Sequence, residues 1–395
     1  MAVVCVGCRK HGIVFHAGWL ASGRTVDYHK TEQLKVWHML ARILTVVFLL
    51  TVSLSVRADK VLLVAGGESK TDGVPATQFK LIAPFAIGFD QAGNYYIAEM
   101  TGNRVHRVDQ TGKLTIIGGT GEKGNDGDNG PARKARFNGM HHLVVDADGH
   151  LLLADTWNHR IRRLDPKTGV VTPFAGTGKK GFSGDGGPAR NADFGGIYCL
   201  AFDPPKKNLY VADLDNRRIR VINMATGIVT TVAGNGKRGV PPDGAIAKNA
   251  PLVDPRAVAV DSKGNVYILE RGGHALRVVG KEGKIRTVAG TGKKGFSGDG
   301  GPALKAMFNG PKHLCVDLDD NVLIADTENH VIRKYLPKEG RIVRIAGTGK
   351  RGKEGVGGPP LKVQLAQPHG VFQHKDGSIY IVDSSNNRVL KIVKE

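Results

Sequence analysis

The segment NVLIADTENHVIRKY (321–335) decides the fold, because five other segments of the chain repeat its pattern. The copies are NYYIAEMTGNRVHRV (94–108), LLLADTWNHRIRRL (151–164), NLYVADLDNRRIRVI (208–222), NVYILERGGHALRVV (265–279) and SIYIVDSSNNRVLKI (378–392). The acidic residues at the shared position form what we call the acidic ring: Glu99, Asp155, Asp213, Glu270, Asp326 and Asp383. They lie 56 to 58 positions apart, and a period this regular indicates one structural unit repeated six times.

Each repeat contains four short apolar runs separated by turn residues. In the second repeat the runs are HLVVD (142–146), HLLLAD (150–155), RIRRLD (160–165) and VVTPFAG (170–176). The Asp and Gly residues between them favour tight reversals of the chain. Four antiparallel strands in each of six repeats predict an all-β, six-bladed β-propeller.

The two ends of the repeat region predict how the ring closes. The last repeat stops after its third strand, at 389–393, whereas 60–66 (KVLLVAG) matches the fourth strand of the other repeats. We therefore expect the N-terminal strand to complete the sixth blade, so that no blade has an unpaired edge. Residues 59–395 then form a single propeller domain.

Residues 39–58 have the pattern of a secretory signal peptide. Met39 to Arg42 form a short basic start, 43–56 is an apolar run, and Ala58 is a small residue suited to cleavage. The run is shorter than the roughly 20 apolar residues of a membrane-spanning helix. We interpret 1–38 as a wrongly assigned extension before a true start at Met39, and expect an extracytoplasmic protein, periplasmic or secreted. The alternative is an uncleaved anchor with a short cytoplasmic tail.

The chain is strongly basic, with 56 Lys and Arg against 36 Asp and Glu. Residues 59–395 retain 49 basic and 34 acidic residues, a net charge of +15. Such a charge favours anionic partners. Of the four cysteines, Cys199 and Cys315 lie in predicted strands of non-neighbouring repeats, which indicates buried free thiols rather than a disulfide.

The N-H-[RV]-I-R run after Ala-Asp resembles the NHL repeat, and the link AGTGKKGFSGDGGPA (175–189 and 289–303) is similar to that of a secreted subset of the family. The resemblance covers all six repeats, although the fourth departs at 270–274. It implies a propeller that serves as a binding scaffold, as in most members. A few similar propellers are enzymes, among them a peptide-amidating lyase with a histidine-held metal in its channel, and the sugar-lactonase family has a related ring.

The predicted topology puts the loops between second and third strands, and the Gly-rich links between blades, on one face, which we call the top face. The acidic ring lies there, and its recurrence in every repeat indicates a structural, Asx-type contact. The links carry basic residues that we call the basic crown: Lys123, Lys179, Lys180, Lys237, Arg238, Lys293, Lys294, Lys350 and Arg351. Two interpretations remain open for the crown: ordinary solvated side chains, or an anion-binding face.

Two further rings of residues are expected at the central channel. The mouth ring is Phe85, His141, Tyr198, Arg256, Lys312 and His369, and the inner ring is Ala86, His142, Cys199, Ala257, His313 and Gly370. His142 and His313 belong to opposite blades and should face each other. The cations and aromatic rings of the mouth ring predict an anionic or carboxylated ligand bound by His141, Tyr198, Arg256, Lys312 and His369. His141, His142, His313 and His369 are candidate metal ligands, but no tight ligand spacing supports them, so no cofactor is expected.

The sequence thus predicts an exported, non-enzymatic scaffold that binds an acidic polysaccharide, an envelope component or a protein through its top face. It shows no nucleophile elbow or catalytic triad. The alternative is a metal-dependent hydrolase or lyase with its site at the top of the channel. Nucleic-acid binding is disfavoured by the export signal and the scarcity of stacking aromatic residues. We expect a monomer with no membrane span after signal cleavage.

Overall fold

A computed structural model describes residues 59–394, which form six antiparallel sheets. The chain enters through strand β1 (Lys60–Ala65). Blade 1 contains β2 (Pro84–Phe89), β3 (Tyr95–Glu99), β4 (Val105–Val108) and β5 (Leu114–Gly118). Blade 2 contains β6 (Gly130–Pro131), β7 (Met140–Val145), β8 (Leu151–Asp155), β9 (Arg160–Leu164) and β10 (Val170–Ala175). Blade 3 contains β11 (Ile197–Phe202), β12 (Asn208–Asp213), β13 (Arg218–Asn223) and β14 (Val229–Ala233).

The second half of the chain repeats this plan. Blade 4 contains β15 (Ala245–Ile246), β16 (Pro255–Val260), β17 (Val266–Glu270), β18 (Ala275–Val279) and β19 (Lys284–Ala289). Blade 5 contains β20 (His313–Val316), β21 (Val322–Asp326), β22 (Val331–Leu336) and β23 (Arg341–Ala346). Blade 6 contains β24 (Gly370–Gln373), β25 (Ile379–Asp383) and β26 (Arg388–Val393). The helical segments among the described residues are single 3₁₀ turns in the links and top loops: Ala132–Lys134, Thr156–Asn158, Ala189–Asn191, Ala247–Asn249, Ala303–Lys305, Thr327–Asn329, Pro360–Lys362 and Ser384–Asn386.

The sheets confirm the predicted six-bladed propeller. The first strands of neighbouring blades contact each other all round the ring, from β2 through β7, β11, β16 and β20 to β24 and back to β2. Two blades gain a fifth strand, because the short segments β6 and β15 of their incoming links pair with β10 and β19.

Strand β1 closes the ring as the sequence predicts. It pairs antiparallel with β26, with Lys60 opposite Val393 and Leu63 opposite Leu390. Sheet order β1-β26-β25-β24 makes it the outer strand of blade 6. The ends of the described chain therefore share one sheet.

The second strands pack between neighbouring blades. All five residues of β21 are buried, and the same holds for β8 and β17. Their apolar side chains join clusters that combine residues of adjacent blades, such as Leu153 with Phe137 and Ala86. Burial on both faces explains why these segments are almost wholly apolar.

A β-bulge at the start of the first strand shapes the channel mouth. In blade 2, Met140 pairs with Asp155 and His142 with Ala154, so His141 is left out of the ladder. Phe85, Tyr198 and Arg256 are skipped in the same way in blades 1, 3 and 4. Bulges re-aim a side chain relative to its strand, which separates the mouth ring from the inner ring that follows it.

The proposed extension at 1–38 and the signal peptide at 39–58 lie outside the described residues. Between residues 59 and 394, no helix has the length and apolar character that crossing a bilayer requires. Cys199 and Cys315 are free thiols, as expected.

Ring closure by β1 predicts a position-specific effect on stability. Val61 is fully buried and Leu62, its neighbour on the same strand, is 41% exposed. Val61→Asp should lower the free energy of unfolding by about 3 kcal/mol or more, because it buries an unpaired carboxylate. Leu62→Asp is the matched control and should change it by less than about 0.5 kcal/mol. Urea unfolding of both variants measures the difference, and equal effects would show that β1 does not seal blade 6.

Candidate functional site

The acidic ring is buried and has a structural role. In blade 5, Asp326 accepts hydrogen bonds from the backbone N–H of Asn309 and from the side-chain amide of Asn329, both at 2.8 Å. The Arg333 guanidinium lies 3.4 Å from the same carboxylate. All six ring members accept a backbone N–H just before the first strand of their blade; the donors are Ile82, Asn138, Gly195, Val253, Asn309 and Ala366. These contacts reach beyond the Asx-type turn that the sequence predicts.

A buried arginine fastens the Gly-rich link to its blade. The Arg333 guanidinium donates to the carbonyl oxygens of Met307 and Ser297 at 2.8 and 2.7 Å, and to Asp299 at 2.8 Å. Arg162 and Arg220 make the same kinds of carbonyl contact in blades 2 and 3. Glycines allow the link to pack this closely. Gly298 has φ +90°, and a Cβ there would lie 2.6 Å from the backbone of Ala306. The glycines thus form a packed loop rather than a phosphate cradle.

A residue at the end of each top loop, just before the third strand, has a shared conformation, and in five of the six blades its side chain joins that blade to the next, a role that the sequence did not predict. The six residues share a left-handed conformation with φ between 46° and 56°: Asn103, His159, Arg217, His274, His330 and Asn387. Asn387 accepts from the N–H of Ala83 at 2.9 Å, and Asn103 accepts from the N–H of Gly139 at 3.0 Å. His274 and His330 likewise accept from the N–H groups of Gly310 and Gln367, whereas the Nδ1 of His159 donates to the carbonyl oxygen of Gly195. The recurrence of Asn and His at one position was the available signal, because Asn tolerates the left-handed region well.

The structural role of the acidic ring can be tested at Asp326. Asp326→Asn should lower the free energy of unfolding by about 2 kcal/mol, because the Asn329 amide loses its charged acceptor and Arg333 keeps only Asp299 as a facing carboxylate. Asp319→Asn, at an exposed position in a bottom turn of the same blade, is the control and should have little effect. Chemical denaturation gives both values. A wild-type stability for Asp326→Asn would contradict the structural role.

The mouth ring is a continuous set of ring contacts at the top of the channel. Phe85 stacks on His369 with ring centroids 4.0 Å apart and meets His141 edge-on at 5.1 Å. His141 contacts Tyr198 at 4.6 Å, and the Arg256 guanidinium lies 4.5 Å from the Tyr198 ring centre. The structure therefore brings Phe85, His141, Tyr198, Arg256 and His369 together.

Trp157 extends the mouth ring outward and was missed from the sequence. Its indole lies 5.5 Å from the His141 ring and is 43% exposed. One face covers Gly139, where a Cβ would lie 2.3 Å from the indole. The rest of its loop follows the pattern of the other repeats, so the presence of a tryptophan at this position was the available sequence signal.

The cations of the mouth ring differ in whether a carboxylate neutralises them. Lys312 pairs with Glu328 at 2.7 Å, and nearby Arg271 pairs with Asp254 at 2.8 Å. Arg256 is 4% exposed, and its one hydrogen bond goes from Nη1 to the carbonyl of Tyr198 at 3.2 Å. Its Nε has no partner, and no carboxylate of residues 59–394 lies within ion-pair distance of it. Burial, and then the charge of Arg271, lower the Arg256 pKa to about 10, so the side chain remains a cation.

His142 and His313 meet across the channel, as their opposite blades predict. Their Nε2 atoms are 2.8 Å apart, and both residues are 3% exposed. The Nδ1 of His142 accepts the N–H of Leu200, and the Nδ1 of His313 accepts the N–H of Val371. In a neutral imidazole the proton then sits on Nε2, so two N–H groups point at each other.

His141 and His369 have the opposite tautomer. Each Nδ1 lies 2.8 Å from a carbonyl oxygen two residues earlier, at Gly139 and Gln367. Since a carbonyl only accepts, Nδ1 carries the proton and Nε2 keeps its lone pair. The four candidate metal ligands therefore separate into two chemically different pairs.

Two groups of residues in the described chain have the spacing of metal ligands. In the channel, ligand atoms of His142, Cys199 and His313 lie within 4.8 Å of one another. Burial raises the pKa of the Cys199 thiol to about 11, and the Nε2 atoms of both histidines carry protons, so a cation would have to displace three protons to bind here. In the second group, Asp146, Asp148 and His150, the Arg163 guanidinium lies 3.7 Å from Asp146 and already supplies the positive charge.

Burial of His142 makes stability depend on pH. Burial, and then the Arg256 charge, lower its pKa from 6.5 to about 3. A depressed folded-state pKa contributes stability above the unfolded value of 6.5, and this is lost as the pH falls. Between pH 7 and 5 the loss for one such histidine is about 2 kcal/mol. His142→Asn should reduce the fall in unfolding free energy over this range by that amount, whereas an unchanged fall would show that His142 titrates normally.

The basic crown is exposed throughout. Lys180 pairs with Asp215 at 3.0 Å, whereas the other crown residues form no ion pair within the described chain. Between blades 3 and 4 the top face has a cavity of about 640 Å³. Its lining contains four cations, Lys180, Arg217, Arg238 and Arg271, and two carboxylates, Asp215 and Asp254. The lining of this cavity thus contains two more cations than carboxylates.

A larger cavity, of about 760 Å³, lies on the bottom face. It is lined by short turns of blades 6, 1, 2 and 3, including Asp90, Asp146 and His374. Lys206 also lies in the lining and donates to the carbonyl of Val145 at 2.8 Å. Carboxylates and cations are mixed in the lining of this cavity, whereas Arg256 in the mouth ring is buried and has no carboxylate at ion-pair distance among the described residues. We therefore place the candidate site at the mouth ring.

The structure is a closed six-bladed propeller, and its six repeats differ from one another at the top of the channel. Residues 137–164 and 365–392 match the family model for the NHL repeat, and 193–297 match that for the teneurin NHL domain. Residues 137–164 and 365–392 are thus NHL repeats within a six-bladed β-propeller.

Three curated relatives share this region. The chain is 28% identical over 289 residues to Protein SUPPRESSOR OF QUENCHING 1, chloroplastic, of Arabidopsis thaliana, covering 70% of this chain and 27% of the relative. It is 28% identical to NHL repeat-containing protein 2 of Gallus gallus, covering 62% and 37%, and 27% identical to Teneurin-3 of Mus musculus, covering 63% and 10%. The chain thus spans less than two fifths of the length of each.

Solved structures show the same fold. A structural genomics protein of unknown function from Bacteroides thetaiotaomicron has a TM-score of 0.63 at 17% identity, covering 85% of this chain and 76% of that one. An auxiliary nutrient binding protein from the same organism has a TM-score of 0.61 at 15% identity, covering 85% and 77%. At these identities the likeness concerns the fold alone.

Proposed function

We propose that the protein is an exported, non-enzymatic scaffold that binds an anionic ligand, such as an acidic polysaccharide, envelope component or protein, through its top face. The observation that carries the proposal is Arg256, a buried guanidinium at the channel mouth with no carboxylate partner among the described residues. A buried charge needs a counter-charge, and an anionic ligand supplies one.

The residues around Arg256 also favour an anionic ligand. The basic crown and the cations of the neighbouring cavity add positive potential around the mouth, which favours capture of a polyanion. Aromatic side chains at the mouth, including the exposed face of Trp157, offer apolar contact beside the charge. The auxiliary nutrient binding protein with the same fold is an example, by its description, of a propeller used for binding.

The alternative of a metal-dependent hydrolase or lyase needs a divalent ion held by the channel histidines. The tautomers of His142 and His313 do not favour a metal at that pair, whereas His141 and His369 keep Nε2 lone pairs. Metal content of the purified protein tests this alternative, and one equivalent of bound divalent metal would revive it.

The role of the basic crown can be measured with two charge-matched variants. Replacing Lys179, Lys180, Lys293 and Lys294 with Ala should weaken binding of an acidic glycan about ten-fold at low salt, because exposed charges each contribute a few tenths of a kcal/mol. The control replaces four exposed lysines of the bottom turns with Ala: Lys167, Lys263, Lys281 and Lys338. Both variants lose four charges, so equal weakening would indicate net charge rather than the top face.

The wild-type protein supplies the second arm of this test. Capture of acidic glycans, compared with neutral glycans and DNA, should fall as salt is raised. Binding that does not respond to salt would contradict an electrostatic top face, and absence of capture by any acidic polymer would contradict the proposed function.

A further inference from the structure

The upper channel contains hydrogen-bond donors without acceptors. Arg256 contributes an unpartnered Nε, and His142 and His313 contribute two Nε2–H groups that oppose each other at 2.8 Å. All three side chains are at least nine-tenths buried. Buried polar groups in native proteins are almost always hydrogen-bonded, so three such groups in one channel indicate a missing acceptor.

The tautomer of the histidine pair is fixed by the main chain rather than by the pair itself. The N–H of Leu200 in blade 3 occupies Nδ1 of His142, and the N–H of Val371 in blade 6 occupies Nδ1 of His313. Each donor lies 58 positions after its histidine, in the first strand of the next blade. Shifting a ring proton to Nδ1 would place it against one of these N–H groups, so neither neutral tautomer satisfies the pair.

Protonation of an imidazole does not supply the hydrogen-bond acceptor that the histidine pair lacks. Burial, followed by neighbouring charges that include Arg256, lowers the pKa of both imidazoles. A further proton would also add a donor rather than an acceptor. The remaining remedy is an anion, whose oxygens accept from N–H groups and at the same time neutralise Arg256.

We propose that the upper channel is a carboxylate-binding site, in which a carboxylate entering from the top accepts hydrogen bonds from Arg256 and from the Nε2–H groups of His142 and His313. This deepens the proposed function, on which it rests, by naming the group of the ligand that is buried. The two imidazoles separate to admit it, because 2.8 Å leaves no room for an oxygen between them. Phe372, whose ring centre is 4.6 Å from that of His313, lies against both imidazoles and limits the depth of entry.

The class of ligand follows from the shape of the site. The guanidinium suits a carboxylate because its two oxygens match the paired N–H groups of arginine. The aromatic mouth ring and Trp157 would then contact the body of the ligand. A small free carboxylate and the terminal carboxylate of an acidic chain share this chemistry, and the experiment separates them.

Nitrogen-15 NMR of the histidine side chains, in the purified propeller titrated with acetate, tests the site. We expect Nε2–H signals for His142 and His313 in the free protein, and a saturable shift of both with a single dissociation constant. Arg256→Met and His142→Asn should each weaken acetate binding at least ten-fold, and the asparagine keeps an acceptor for Leu200. His150→Asn, in a bottom turn, and Lys281→Met are the matched controls and should leave it unchanged.

The outcomes are distinct from those of the glycan experiment. Nδ1–H tautomers in the free pair, absence of a saturable acetate shift, or equal binding by Arg256→Met would overturn the carboxylate site, even where acidic glycans are captured by the basic crown. If the protein binds acetate saturably but captures no acidic glycan, the result would support the channel site and point to a small free carboxylate as the ligand. Competition between acetate and an acidic glycan for the same signals would support a terminal carboxylate.

Discussion

Each blade depends on a buried carboxylate at the end of its second strand. That carboxylate fixes the backbone ahead of the first strand, and in most blades it also faces a buried arginine that holds the Gly-rich link. Burial raises the pKa of Asp155, Asp213 and Asp326 to about 6, despite their hydrogen bonds and arginine neighbours. One charged group thus connects the strand, the top loop and the link, which explains why the acid recurs in all six repeats while the residues at the channel vary.

This scaffold leaves the channel free to differ from blade to blade. Bulges in the first strands remove Phe85, His141, Tyr198 and Arg256 from the ladder, so their side chains have no part in strand pairing. The next residue of each strand faces the channel at a deeper level, where His142 and His313 meet. The channel positions that differ from blade to blade are therefore separated in space from the contacts that maintain the ring.

The sequence predicted the repeated features well, because a periodic pattern reports the same packing six times. The six blades, the closure by Lys60–Ala65 and the opposition of His142 and His313 all follow from spacing. It did not reveal the joining role of Asn387 or His330, which depends on a left-handed backbone and a partner in the next blade. Nor could it assign tautomers, because these depend on which main-chain group lies beside each Nδ1. The partner of Lys312 and the lack of one at Arg256 likewise appear only when side chains from distant repeats are placed together.

Blade 6 combines strands from both ends of the described chain, and its contacts include the bond between Ala83 and Asn387, 304 positions apart. During synthesis, β1 emerges from the ribosome long before its partner β26. The outer strand of that blade therefore remains unpaired while the five other blades are synthesised. Closure is therefore a late event, and a chain interrupted at any earlier point retains an open ring.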